Sequence, residues 1–239
     1  MNNSMQCAWT RCASRAGVAA LVALGIGSAV ALAADVDGTS RPDFLKGTTG
    51  TDRIFGFEGN DAITAGSGRD RVEGGSDDDS IEGGAGDDTL RGDGRDRKCL
   101  LGATSVRYCT PVLANGGSDS IDGGSGRDSV SGQRGGDSLD GGSGNDTVSG
   151  GGGNDSVRGG AGNDRASGGA GRDSISGGAG NDRVSGGAGR DRIRGGGGDD
   201  RISTRDRTKD TIDCATGSDR VTADPSDSVA PNCERVFRG

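Results

Sequence analysis

Bulky apolar side chains are scarce between Gly177 and Ser203, yet the three that occur, Val184, Ile193 and Ile202, stand nine residues apart. The same step extends over ninety residues, through Ile121, Val130, Leu139, Val148, Val157, Ala166, Ile175, Val184, Ile193 and Ile202. Each is flanked by polar residues, the pattern of a short strand that turns one side chain inward. The intervening residues, such as Gly177-Gly178-Ala179-Gly180-Asn181-Asp182, are turn formers, because glycine permits positive φ and Asn and Asp tolerate tight turns. The pattern therefore predicts a three-residue strand followed by a six-residue turn. Two units make an eighteen-residue coil with a strand on each side, and strands of successive coils stack in parallel about 4.8 Å apart. The expected fold class is all-β, a solenoid of stacked coils.

Two further columns keep the same phase. The sixth place of the ten units from Ala114 to Ser203 holds Asp119, Asp128, Asp137, Asp146, Asp155, Asp164, Asp173, Asp182, Asp191 and Asp200, and the fourth is glycine in every unit. A first block, Gly38 to Arg91, carries Asp43, Asp52, Asp61, Asp70, Asp79 and Asp88 in the sixth place and Leu45, Ile54, Ile63, Val72, Ile81 and Leu90 in the eighth. Its opening unit, GTSRPDFLK, lacks the glycines and puts Phe44 outside the apolar column, as a capping unit should. The expected organisation is a signal peptide over 1–33, an N-terminal cap over 34–46, repeat blocks over 47–91 and 114–203, an insertion over 92–113, and a C-terminal cap over 204–239 in which the rhythm weakens. The insertion contains Tyr108, and either covers an edge of the stack or makes a contact of its own.

Composition sharpens this picture. With 51 glycines among 239 residues and 3% aromatic content, bulk statistics alone point to disorder, and it is the phase of three columns that argues against it. Arg11 and Arg15 precede an apolar run, Ala16 to Leu32, that closes on Ala31-Leu32-Ala33, the layout of a cleaved secretory signal rather than a membrane anchor. Removing it takes away two arginines and no acid, so a formal charge of -8 becomes -10. An acidic exported chain excludes nucleic acid as the natural partner and points to cations, calcium being the one that takes many oxygen ligands at extracellular concentration. No membrane insertion is expected after cleavage.

Cys99, Cys109, Cys214 and Cys233 remain in the mature chain. Of three connectivities, local pairing of Cys99 with Cys109 and Cys214 with Cys233 encloses, in each case, a short segment that breaks the repeat. Zinc is disfavoured, because there is no histidine and no C-x-x-C pair.

Units such as GGAGNDRVS (177–185) and GGSGNDTVS (141–149) resemble the RTX, or haemolysin-type, calcium-binding nonapeptide GGxGxDxUx. The resemblance implies a right-handed parallel β-roll with calcium between the turns of units n and n+2, the sixth-place aspartate giving the carboxylate and turn carbonyls much of the rest. On that basis the metal-ligating candidates are Asp52, Asp61, Asp70, Asp79, Asp88, Asp119, Asp128, Asp137, Asp146, Asp155, Asp164, Asp173, Asp182, Asp191 and Asp200. Counting n, n+2 pairs within each block gives a ceiling of roughly twelve ions. Asp77 in a glycine place, Gln133 and Arg134 in one turn, and the small Ala166 mark weaker units.

No enzyme is expected: histidine and a Gly-x-Ser-x-Gly elbow are absent, and the repeat accounts for the aspartates. The expected function is calcium binding coupled to folding in a secreted protein. The alternative is a calcium-stiffened adhesive or matrix scaffold that binds an extracellular glycan or cell-envelope partner, with Arg165, Arg183 and Arg201, beside a serine column, as its ligand face.

Overall fold

The computed structural model describes residues 33–94, 96–97, 111–112 and 116–239. The predicted signal peptide up to Leu32, Cys99, Cys109 and Tyr108 lie outside the described residues. Strands alternate between two parallel sheets, one of eleven strands from Asp35–Asp37 to Arg235–Arg238, the other of ten from Phe44–Lys46 to Ser228–Val229. There is no helix among the described residues. Paired residues are one coil apart, as in Val148 with Ala166 and Ala166 with Val184. This is the solenoid that the nine-residue step predicts, with one unit in each sheet per coil.

The strands are longer than that step suggests. Arg183–Ala188 is typical: six residues, with the turn contracted to Gly189, Arg190 and Asp191. The extension runs through the first three places of the next unit, where the second-place glycine adopts positive φ, 100° at Gly187. Cross-strand partners are found at Arg183, Val184 and Ser185 and again at Gly187 and Ala188, with none at Gly186, so the ladder breaks at the first-place glycine. That glycine is buried, like the apolar residue two positions before it. The inward face thus has two columns, one of aliphatic side chains and one of glycine backbone. Only the first has a hydrophobic signature.

The aliphatic column is continuous from Ile54 to Val221, and each member is 3% exposed or less, Ala166 included. Each Val, Leu or Ile so buried contributes about 1.5–3 kcal/mol, which leaves a core one side chain wide on each side of a coil.

The two repeat blocks form one stack. Ser80–Ala85 pairs directly with Ser120–Ser125, and Thr89–Arg91 with Ser129–Ser131, so a step of forty residues replaces eighteen and twenty-two residues leave the roll without shifting its register. Asp96–Arg97 and Pro111–Val112 pair antiparallel within that excursion.

At the start of the roll, Asp35–Asp37 and Phe44–Lys46 pair with the next coil, and Phe44 is 92% exposed, as its place outside the apolar column requires. After Ser203 the coils lengthen by one residue, and Thr211–Thr216 and Arg220–Ala223 still pair in phase with the repeats. Cys214 occupies a first-place, inward position and is bonded to Cys233, with Cα atoms 5.2 Å apart.

Candidate metal centre

Each coil returns its chain to the same height in the turn, so sixth-place aspartates stand over one another. Oδ1 of each accepts a hydrogen bond from the backbone N–H of the aspartate one coil earlier: Asp155 from Asp137 at 2.9 Å, Asp182 from Asp164 at 2.8 Å, Asp200 from Asp182 at 2.8 Å. The excursion does not interrupt this ladder, because Asp79 donates to Asp119 at 2.9 Å and Asp88 to Asp128 at 2.8 Å. Stacked pairs therefore bridge the two blocks, and the ceiling of twelve, which treats the blocks apart, is too low for the geometry. The ladder also continues past the last regular unit to Asp210, Asp219 and Asp227. The sequence reading does not count these three, since coils of nineteen and seventeen residues fall out of the nine-residue phase.

Oδ2 is the unusual atom. In sixteen aspartates, all those of the ladder from Asp61 to Asp219, it is buried without any hydrogen-bond partner. It points towards the first-place glycine column. A Cβ built on Gly177 would lie 2.5 Å from Oδ2 of Asp182 and 2.5 Å from the carbonyl oxygen of Gly195, one coil on. Carboxylate and carbonyl oxygens face each other across the space of one methyl group, which any side chain at Gly177 would fill.

Two oxygens in that arrangement repel, and a buried carboxylate oxygen without a donor is costly unless a proton or a cation lies beside it. The carboxyls accordingly favour protonation. Burial, reinforced by the stacked aspartates and opposed by the ladder N–H, pushes Asp79 up to about 8, Asp119, Asp128, Asp137 and Asp210 to about 7, and Asp70, Asp146 and Asp200 to about 6. Among the described residues no group of three or more Asp, Glu or Cys side chains gathers as a metal cluster. A cation here has carboxylates of successive turns and backbone carbonyls as its ligands, a hard-oxygen set that suits calcium. The orphaned Oδ2 atoms and the carbonyls that face them fit such an ion.

Asp52 differs from the other fourteen predicted ligands. Its Oδ2 accepts from the Thr48 N–H at 2.6 Å and its carboxylate from the Thr48 hydroxyl, just as Thr39 serves Asp43. At the other end, Thr204 Oγ1 and the Asp224 N–H both donate to Oδ2 of Asp227 at 2.8 Å. Chain donors thus satisfy the carboxylates at both ends of the roll and leave those between them unsatisfied.

The seventh-place arginines Arg165, Arg183 and Arg201 are exposed direct neighbours in the eleven-stranded sheet, far from the buried Oδ2 atoms in chemistry as well as place.

The family model of the RTX calcium-binding nonapeptide repeat matches residues 37–72, 64–94, 113–148, 131–166, 140–175, 149–184 and 176–205. No curated protein matches the chain. The matched segments together span 37–94 and 113–205, well over half of the 239 residues, and they coincide with the stack that aligns one buried carboxylate per unit. The chain therefore belongs to the RTX calcium-binding nonapeptide repeat family and is a calcium-binding repeat protein.

Proposed function

We propose that this is an exported protein whose folding is driven by calcium bound along the aspartate ladder. The observation that carries the reading is the row of sixteen buried Oδ2 atoms without donors. The ligands would be the aspartates from Asp61 to Asp219 together with first-place carbonyls such as those of Gly186 and Gly195. Calcium supplies positive charge and six to eight oxygen coordination sites, where the chain by itself offers only facing oxygens. With one apolar side chain per nine residues, the conformational entropy of so long a roll has little else to oppose it.

Export is supported by the charged and apolar layout of residues 11–33, by a Cys214–Cys233 bond suited to an oxidising compartment, and by the export typical of RTX repeat proteins. No helix among the described residues is long and apolar enough to cross a membrane.

Circular dichroism of the mature chain tests the central claim. A β-sheet spectrum in millimolar calcium that collapses on EDTA addition is expected, and a spectrum indifferent to EDTA refutes it. Calorimetric titration then counts the ions. A second reading, an adhesive scaffold that calcium only stiffens, is favoured by one feature, the exposed arginine column of the C-terminal half.

A further inference from the structure

The eleven-stranded sheet is divided along its length by charge. In its N-terminal part the arginines are neutralised within the sheet: Arg71 and Arg91 both pair with Glu73, at 2.5 and 3.4 Å. From Thr147 onward its strands, Thr147–Gly152, Arg165–Ala170, Arg183–Ala188, Arg201–Ser203, Arg220–Ala223 and Arg235–Arg238, contain no acidic residue at all, in a chain with 36 acids and 28 bases.

The register places Arg165, Arg183, Arg201, Arg220 and Arg235 in one row, each the direct neighbour of the next and all exposed. Among the described residues no carboxylate pairs with the first four. A parallel row of hydroxyls, Ser149, Ser167, Ser185, Ser203 and Thr222, runs beside them. Between the rows lies a shallow groove of about 570 Å³. The sequence reading found three of these arginines. Arg220 and Arg235 join only through the lengthened C-terminal coils.

We propose that this groove binds a linear acidic polysaccharide laid along the axis of the roll. The inference rests on the scaffold reading above. One guanidinium per rung, at a rung spacing of about 4.8 Å, meets carboxylate or sulfate groups repeated along a thin polymer, and guanidinium hydrogen bonds to such anions are strong. The hydroxyl row meets sugar hydroxyls. A nucleic acid fits less well. Stacking platforms for bases are absent from the row, apart from Phe237 at its end, whose ring Arg220 already covers at 4.6 Å, and the acidic remainder of the molecule repels a polyphosphate.

The test is binding of hyaluronan, chondroitin sulfate, neutral dextran and single-stranded DNA to the mature chain in millimolar calcium and about 0.15 M salt. Three proteins are compared: wild type; Arg165→Ser, Arg183→Ser, Arg201→Ser together; and Arg158→Ser, Arg192→Ser, Arg194→Ser together, which removes equal charge from the other sheet. Serine and threonine already stand in equivalent places at Ser129 and Thr147, so the first triple variant keeps the fold, and circular dichroism verifies it. Wild type should hold an acidic polysaccharide and not dextran, the column variant should bind it about tenfold or more weakly, and the control variant should match wild type. Equal binding by the column variant, an equal loss in the control, or tighter binding of DNA overturns the proposal. Wild-type protein that is folded yet holds no polysaccharide refutes the scaffold reading itself.

Discussion

One aspartate in each unit serves two purposes with its two oxygens. In Asp155, Oδ1 accepts the Asp137 N–H and holds successive coils in register, while Oδ2 faces the Gly168 carbonyl and has no donor. Asparagine separates these roles. Asp155→Asn keeps an acceptor for Asp137, and its amide can donate towards Gly168, as a protonated aspartate would. Its charge is gone, and with it one ligand. In calcium at pH 7.5 the variant should unfold more easily than wild type, by about 1–3 kcal/mol in urea titrations. In metal-free solution at pH 4, where wild-type Asp155 is protonated, the two should be alike. Equal destabilisation under both conditions contradicts a ligand role and assigns Asp155 to the ladder alone.

Strand and turn divide each unit differently from the hydrophobic pattern. Three polar–apolar–polar residues begin the strand, but three more continue it, because the first-place glycine can enter the core beside Oδ2 and the second-place glycine can take positive φ. Where the second place is not glycine the backbone keeps its path: Gln133 and Phe57 sit at φ of 84° and 82°, and Asp77, in a fourth place, at 78°. Such conformations cost of order 1–2 kcal/mol each, borne by the surrounding ladder. The excursion is treated in the same way. Gly92 and Asp93 occupy first and second places, and Gly116 to Asp119 occupy the third to the sixth, so residues 94–115 interrupt a single unit. Deleting 94–115 should leave a roll with the same calcium-induced β spectrum and an equal or higher melting temperature, since a shorter connection costs less entropy to close. Loss of the calcium response in the deleted chain would mean that the excursion is needed to build the stack.

Across the whole molecule the ladder acts as one electrostatic object. Its carboxyls have folded-state pKa values raised above the ordinary 3.8 of an aspartate, to between about 6 and 8 in eight of them. Between pH 4 and 8 the metal-free fold thus binds more protons than the unfolded chain, and its stability falls as pH rises through that range. Protons and calcium compete for the same oxygens. Two outcomes are expected: metal-free protein gains β structure on acidification from pH 8 to pH 4, and the calcium needed for half-folding increases as pH falls from 8 to 6. Circular dichroism at fixed pH, with and without EDTA, measures both. A metal-free chain that is no more folded at pH 4 than at pH 8 would show that proton uptake does not relieve the ladder.

The solenoid, its eighteen-residue coil and fourteen of the fifteen aspartates with buried, unpartnered Oδ2 in the regular units were legible in the chain because each repeats with an invariant step. Asp52 could not be told apart: its column is the same, and only folding brings Thr48 onto its carboxylate. The inward glycine column was invisible for a plainer reason, since a residue without a side chain carries no hydrophobic signal. Joining the blocks across twenty-two residues, admitting Asp210 and Asp219 to the ladder and extending the arginine row to Arg220 and Arg235 all depend on strand pairing between distant segments. A local period records what each unit must contain, whereas register between coils of unequal length is decided by backbone hydrogen bonds that form only when the coils stack.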